Sequence, residues 1–193
     1  MNTTSPDDTA RRVALVANTS FYIGPSLARE LAKRGHDLVI GDPEPGLVDE
    51  LESLGAAVVT AQGVWDLADP EIAERLVQTG LERFGRIDAA TAFTGEIVKG
   101  RFLDSTTADL HKLERGLIDA PYQFMKALLP SMIERGRGQI LMITSSAGNR
   151  VLPTAPLYSA LRAGATHLVK NVAQDAARHG VQVNALGTNF MDF

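Results

Sequence analysis

Ser145, Tyr158 and Arg162 stand in the pattern Ser-x12-Tyr-x3-Arg, three residue types that together can move a proton. Tyr158 and Arg162 are four apart at the start of a predicted helix, so both side chains leave one face of it. The serine belongs to T-S-S-A-G at 144–148, a strand-to-helix loop that can approach the tyrosine. A fixed cation beside a phenol favours the deprotonated form, which suits Tyr158 to work as a general base near neutral pH. An isolated Tyr-x-x-x-Arg is more often a buried tyrosine with a surface arginine, and it is the strand-loop-helix setting that weighs for chemistry. Leu152, Ala155 and Pro156 lie between the serine and the tyrosine and are expected to line the substrate side, where small residues leave room. The histidines at 36, 111, 167 and 179 fall on separate predicted elements without ligand spacing, so no metal site is expected.

From Arg12 onward, short apolar runs alternate with amphipathic stretches, the βαβ pattern of a mostly parallel sheet covered on both faces. Six strands are predicted at 13–17, 38–41, 57–61, 87–92, 139–143 and 181–186, apolar as doubly covered strands should be. Glycines at 35, 55, 85, 136 and 180 mark the helix ends between them. A helix over 70–84 gathers Ile72, Leu76, Val77, Leu81 and Phe84 on one face. A longer one over 105–135 does the same with Leu110, Leu113, Leu117, Phe124 and Leu128, and Pro121 should kink it. The expected fold is an α/β, Rossmann-like doubly wound parallel sheet in a three-layer αβα arrangement. Residues 1–11 read as a mobile tail and 12–193 as one catalytic domain.

Composition narrows the partners. At 193 residues and 45% hydrophobic, the chain can build one substantial core, and without cysteine it has no disulfide framework or thiolate chemistry, which fits a reducing, cytoplasmic setting. A net charge of −4 with interspersed signs offers no patch for nucleic acid, and no apolar run approaches the roughly 20 residues of a membrane span.

The Ser-x12-Tyr spacing resembles the catalytic pattern of the short-chain dehydrogenase/reductase superfamily, with Arg162 at the position of that superfamily's lysine. R-I-D at 86–88, D-L-A-D-P-E at 66–71 and V-Q-V-N-A-L at 181–186 extend the resemblance over nearly the whole chain. The departures cluster. A-N-T-S-F-Y-I-G at 17–24 stands where the superfamily has T-G-x-x-x-G-x-G, so Asn18 and Tyr22 replace two glycines that let backbone approach a pyrophosphate, and only Gly24 survives. A-F-T-G at 92–95 replaces N-N-A-G, and Leu117 takes the place of an asparagine. The resemblance also implies a seventh strand, which this chain apparently lacks, so the domain reads as C-terminally incomplete.

An aromatic glycine loop together with Ser-x12-Tyr-x3-Arg is similar to the halohydrin dehalogenases, an offshoot that works without a cofactor. This resemblance implies that Tyr158 takes the hydroxyl proton of a vicinal haloalcohol, that an epoxide and a halide form, and that small anions reopen epoxides in reverse. It implies roles for Ser145 in holding the substrate oxygen and for Arg162 in tuning Tyr158. It also implies a halide pocket of Tyr22, Thr188, Asn189, Phe190 and Met191, and a homotetramer built on the two long helices. Leu110, Leu117, Met125, Ala165, Leu168 and Val172 are expected to supply apolar surface for that contact. Two other readings stay open: an NAD-dependent dehydrogenase/reductase with a divergent loop, for which Asp42 speaks as a ribose ligand, and an inactive member used for interaction.

Overall fold

The structure, a computed structural model, describes residues 11–189. The expected tail thus lies almost wholly outside the described residues. Six parallel strands form one sheet in the order β3-β2-β1-β4-β5-β6: β1 Arg12–Val16, β2 His36–Gly41, β3 Val58–Ala61, β4 Ala89–Phe93, β5 Gly138–Ser145 and β6 Val181–Thr188. The order reverses between β1 and β4, and in such sheets ligands bind at the carboxyl ends of the strands beside that reversal.

Helices α1 (Ile23–Lys33) and α2 (Leu47–Ser53) cover one face, packing Ala28, Ala32, Leu47 and Leu51 against Val16, Leu38 and Ile40. Helices α3 (Pro70–Phe84), α5 (Ala120–Glu134) and α6 (Pro156–Ala177) cover the other, with Leu76, Phe124, Leu128 and Val169 against Leu15, Val39, Ile140 and Val183. The helix ends fall where glycine allows them: Gly35, Gly55, Gly85, Gly136 and Gly180 have φ of 81, 84, 71, 67 and 74°. Asp69 starts α3 by accepting from Glu71 N at 2.9 Å with Pro70 in the first turn.

The long predicted helix is present in three pieces. Helix α4 (Thr107–Glu114) opens on a capping box between Thr106 and Asp109, a π turn follows at Arg115–Asp119, and α5 continues. The irregularity lies directly ahead of Pro121, which sits in the first turn of α5 and has no N–H to donate back into the π turn. Within this frame Leu117, Met125 and Ala165 are 0, 1 and 2% exposed. These three are buried in the chain's own interior, which corrects the expectation that they present free apolar surface; Leu168 and Val172 pack against the same core.

At the amino ends of the strands, Asp88 fastens β1 to β4. Its carboxylate accepts from Val13 N at 2.8 Å and pairs with Arg135 at 2.7 Å and Arg86 at 3.2 Å. Burial works against its charge, but the Arg135 hydrogen bond, the Val13 N–H and the two guanidiniums outweigh it and hold the carboxyl below its ordinary range. A depressed carboxyl contributes stability that is present above the unfolded value of about 3.9 and is lost as pH falls through the lower native value. Asp88→Ala is expected to cost about 1–3 kcal/mol near neutral pH by stranding Arg135 and the Val13 N–H. Thermal melts at neutral pH and near pH 3 check this, the variant losing less than the native chain on acidification.

Candidate functional site

Helix α6 places Tyr158 and Arg162 one turn apart and both inside the protein, 8 and 1% exposed. The Tyr158 ring sits among Leu113, Leu117, Ala147 and Ala155, with Val98, Leu152, Leu157 and Leu161 around them. Arg162 is enclosed by rings: its Cζ lies 5.2 Å from the Tyr158 centroid and 5.3 Å from that of Phe93. Its Nη2 donates to the Thr94 carbonyl at 2.8 Å, and its Nε has no partner. Among the described residues no carboxylate reaches it. Burial lowers the Arg162 pKa, while the phenols of Tyr158 and Tyr22 act in the opposite sense. A buried guanidinium without a carboxylate is costly unless something else meets its charge. Two aromatic faces do so in part, about 2 kcal/mol for a desolvated cation–π contact.

Ser145 ends β5, and its Oγ accepts from Ala147 N at 3.2 Å at the start of a 3-10 turn, Ser146–Asn149. That turn is clamped onto α6. The Ser159 hydroxyl is shared between the carbonyls of Ala147 and Arg150 at 2.9 and 2.8 Å, and Gly148 lies flat on the helix backbone. A Cβ on Gly148 would come within 2.8–2.9 Å of Ala163 N and Arg162 C and O. Gly148→Ala therefore has to lift the turn from the helix, an overpacking expected to cost about 1–3 kcal/mol, or roughly 2–4 °C of Tm per kcal/mol. An unchanged melt would contradict that packing.

The loop after β1 departs from a plain phosphate cradle. Tyr22 has φ 56° and ψ −136°, a conformation that glycine adopts freely and a tyrosine does not. Its ring holds it there, 4.5 Å from Phe93 at 42°, and its hydroxyl lies 3.1 Å from Thr188 Oγ1. Thr188 spends its own proton on the Thr144 carbonyl, so Tyr22 is the donor. The ring thereby spans from the end of β1 to the ends of β4 and β6, across the strand-end crevice. What remains beneath it, among Asn18, Gly24, Thr91 and Phe93, is about 20 Å³, space for one water. Gly24 keeps its reason to be glycine, because a Cβ there would overlap the Asn18 carbonyl oxygen.

A larger cleft of about 430 Å³ opens beyond Phe21, lined by Val64, Trp65, Thr94 and Glu96 and edged by ion pairs Arg115–Asp66 (2.7 Å) and Lys112–Glu96 (2.9 Å). Asp42, read in the sequence as a ribose ligand, has its two carboxylate oxygens taken by Gly63 N and Val64 N at 2.6 and 2.9 Å. It ties the loop after β3. With the Tyr22 ring across the crevice, the residues present do not fit a nicotinamide dinucleotide laid along the strand ends.

Of the residues singled out in the sequence, Tyr22 and Thr188 meet, whereas Asn189 turns to Ser146 and Arg150 at 3.4 and 3.3 Å. Phe190 and Met191 lie outside the described residues. Leu152 and Ala155 join the apolar cluster at Tyr158, Ala155 N donating to the Leu152 carbonyl at 3.0 Å, and Pro156 is the first residue of α6. Phe93, Thr94, Ser159 and Gly148 were not foreseen as site residues. The A-F-T-G departure at 92–95 carried the signal for the first two.

A family model described as enoyl-(acyl carrier protein) reductase matches residues 17–193. The chain belongs to the short-chain dehydrogenase/reductase superfamily. The oxidoreductase UcpA of Escherichia coli K12 is 31% identical over 179 residues, covering 91% of this chain and 67% of that protein. An uncharacterised NAD-dependent oxidoreductase of Mycobacterium tuberculosis H37Rv is 30% identical over 191 residues, covering 91 and 70%. Among solved structures, an acetoin dehydrogenase from Enterobacter cloacae superimposes with a TM-score of 0.82 at 28% identity, over 92% of this chain and 74% of that one. A 7α-hydroxysteroid dehydrogenase, at TM-score 0.85 and 24% identity over 92 and 70%, shares the fold. These relatives are named oxidoreductases and dehydrogenases, which corrects the narrower assignment to the halohydrin dehalogenases and to lyase chemistry. The Ser-x12-Tyr spacing and the sheet are common to the superfamily, and the narrower assignment rested on the loop aromatic, the loss of the glycine fingerprint and Arg162. Among the described residues no group of three or more histidines and carboxylates could hold a metal, and no helix is long and apolar enough to cross a membrane.

Proposed function

We propose that this member of the oxidoreductase superfamily acts at the hydroxyl or carbonyl oxygen of a small uncharged substrate, with Tyr158 as proton donor and acceptor. The observation that carries the reading is the buried Tyr158–Arg162 pair, in which a cation without a carboxylate faces a phenol. A cation held against a phenol suits the pair to pass a proton to or from an alcohol oxygen. Ser145, at the end of β5, retains a hydroxyl to hold the substrate oxygen. The apolar cluster around Tyr158 favours an uncharged, largely apolar partner, because a charged group there would be buried without a counterion.

The NAD-dependence in a relative's name points to the carrier such a reaction needs: the proton would pass through Tyr158 and the hydride to or from a dinucleotide that enters once the Tyr22 ring has left the crevice, while proton transfer without a hydride is the second reading. One assay addresses both: small secondary alcohols and ketones are offered with NAD(H) or NADP(H) to the native chain, to Tyr158→Phe and to Tyr22→Gly. Turnover should disappear with Tyr158 and rise in Tyr22→Gly. Turnover untouched by Tyr158→Phe would sink the proposal.

A further inference from the structure

Two glycines meet behind Arg162. Gly95 follows Thr94 with φ 72°, and Gly116 lies in the π turn between α4 and α5. A Cβ on Gly116 would come within 2.7 Å of Gly95 Cα. One on Gly95 would reach the Gly116 carbonyl carbon and oxygen at 3.0 Å and overlap the Leu117 side chain. The two backbones are therefore in direct contact, each occupying the space of the other's absent side chain. A π turn is a rare irregularity found often at functional sites, and here it presents Gly116 to the loop after β4. Immediately before Gly95 in that loop is the Thr94 carbonyl, which accepts from Arg162 Nη2 at 2.8 Å. That bond is the backbone anchor of a guanidinium whose other partners are the Tyr158 side chain and the Phe93 ring, so the aim of Arg162 at Tyr158 follows where the carbonyl stands.

We propose that the Gly95–Gly116 contact is a positioning device for Arg162: it fixes the Thr94 carbonyl, which in turn holds the guanidinium against Tyr158. This rests on the reading of Tyr158 as the proton-transfer group. Neither glycine touches the reacting atoms, so both are positioning residues. A side chain at 116 has only backbone to push against, and the displacement passes through one peptide to Thr94.

The test uses acetylation of tyrosine by N-acetylimidazole, followed by peptide mass spectrometry, with Tyr122 at 44% exposure as the internal reference. Labelling of Tyr158 relative to Tyr122 reports its nucleophilic character and needs no substrate. Arg162→Met is expected to lower the ratio about tenfold, within the range of coupling between residues in contact, and Gly116→Ala to lower it comparably. The double variant should label no more slowly than Arg162→Met alone, the non-additivity of residues acting through one another. Labelling of Gly116→Ala at the native rate, or losses that simply add in the double variant, would overturn the inference. If Arg162→Met leaves the ratio unchanged, the Tyr158–Arg162 reading itself has failed, which separates the two. Should Gly116→Ala not melt cooperatively, Gly95→Asn decides by the same comparison, because asparagine accepts the left-handed φ while its Cβ still presses on Gly116.

Discussion

Turnover of a Tyr158→Phe variant is expected to fall by about 10²–10⁴-fold, the loss typical of a missing general acid or base. The substitution keeps the ring and its contacts with Leu113, Leu117, Ala147 and Ala155, so the apolar cluster is preserved. What changes is the electrostatics. Arg162 loses a phenol that supports its charge and keeps the Phe93 face and the Thr94 carbonyl. The fold should therefore lose no more than about 1 kcal/mol, on the scale of one hydrogen bond, while chemistry nearly stops. Steady-state rates beside a thermal melt check both halves, and near-normal turnover would remove Tyr158 from the mechanism.

The second large effect is expected from Tyr22→Gly. Glycine relieves a backbone strain of about 1–3 kcal/mol at φ 56°. Against this stand the lost ring pair with Phe93, about 0.5–1.5 kcal/mol, the hydrogen bond to Thr188, about 1 kcal/mol, and the added freedom of the unfolded chain, about 0.5–1 kcal/mol. These nearly cancel, so Tm should move little. The crevice, by contrast, opens from the volume of one water to that of an aromatic side chain, directly at the N-terminus of α1 where backbone N–H groups favour a phosphate. Dinucleotide affinity should rise at least about tenfold, or 1.4 kcal/mol. Arg162→Lys leaves the ring in place and should gain none; a gain there would mean that Tyr22 is not the obstruction.

Most of the frame was legible in the sequence because it rests on local signals. The strand predicted at 139–143 runs Gly138–Ser145, that at 181–186 runs Val181–Thr188, and all five helix-ending glycines have positive φ. Tyr158 and Arg162 lie together for the same reason, since four residues along a helix fix a shared face. Long-range contacts were not legible. That Arg162 would be ringed by Phe93 and bound to Thr94, 68 positions away, follows from β4 lying beside β5 and from α6 crossing above them. For Asp42 the sequence left a ribose ligand and a turn residue both open, because its place at the end of β2 is the same in either role; the structure shows it accepting from the amides of Gly63 and Val64. Leu117, Met125 and Ala165 misled because helical periodicity identifies an apolar face without saying whether the sheet or a second copy covers it.

The central claim is that the Tyr22 ring closes the crevice that serves dinucleotides in the superfamily, while Tyr158 and Arg162 retain the proton-transfer pair. Calorimetric titration of NADH and NADPH into the native chain and into Tyr22→Gly tests it most directly. The account predicts binding to the variant and at least tenfold weaker binding to the native chain, about the step set by 1.4 kcal/mol. Equal, micromolar binding to both would contradict it.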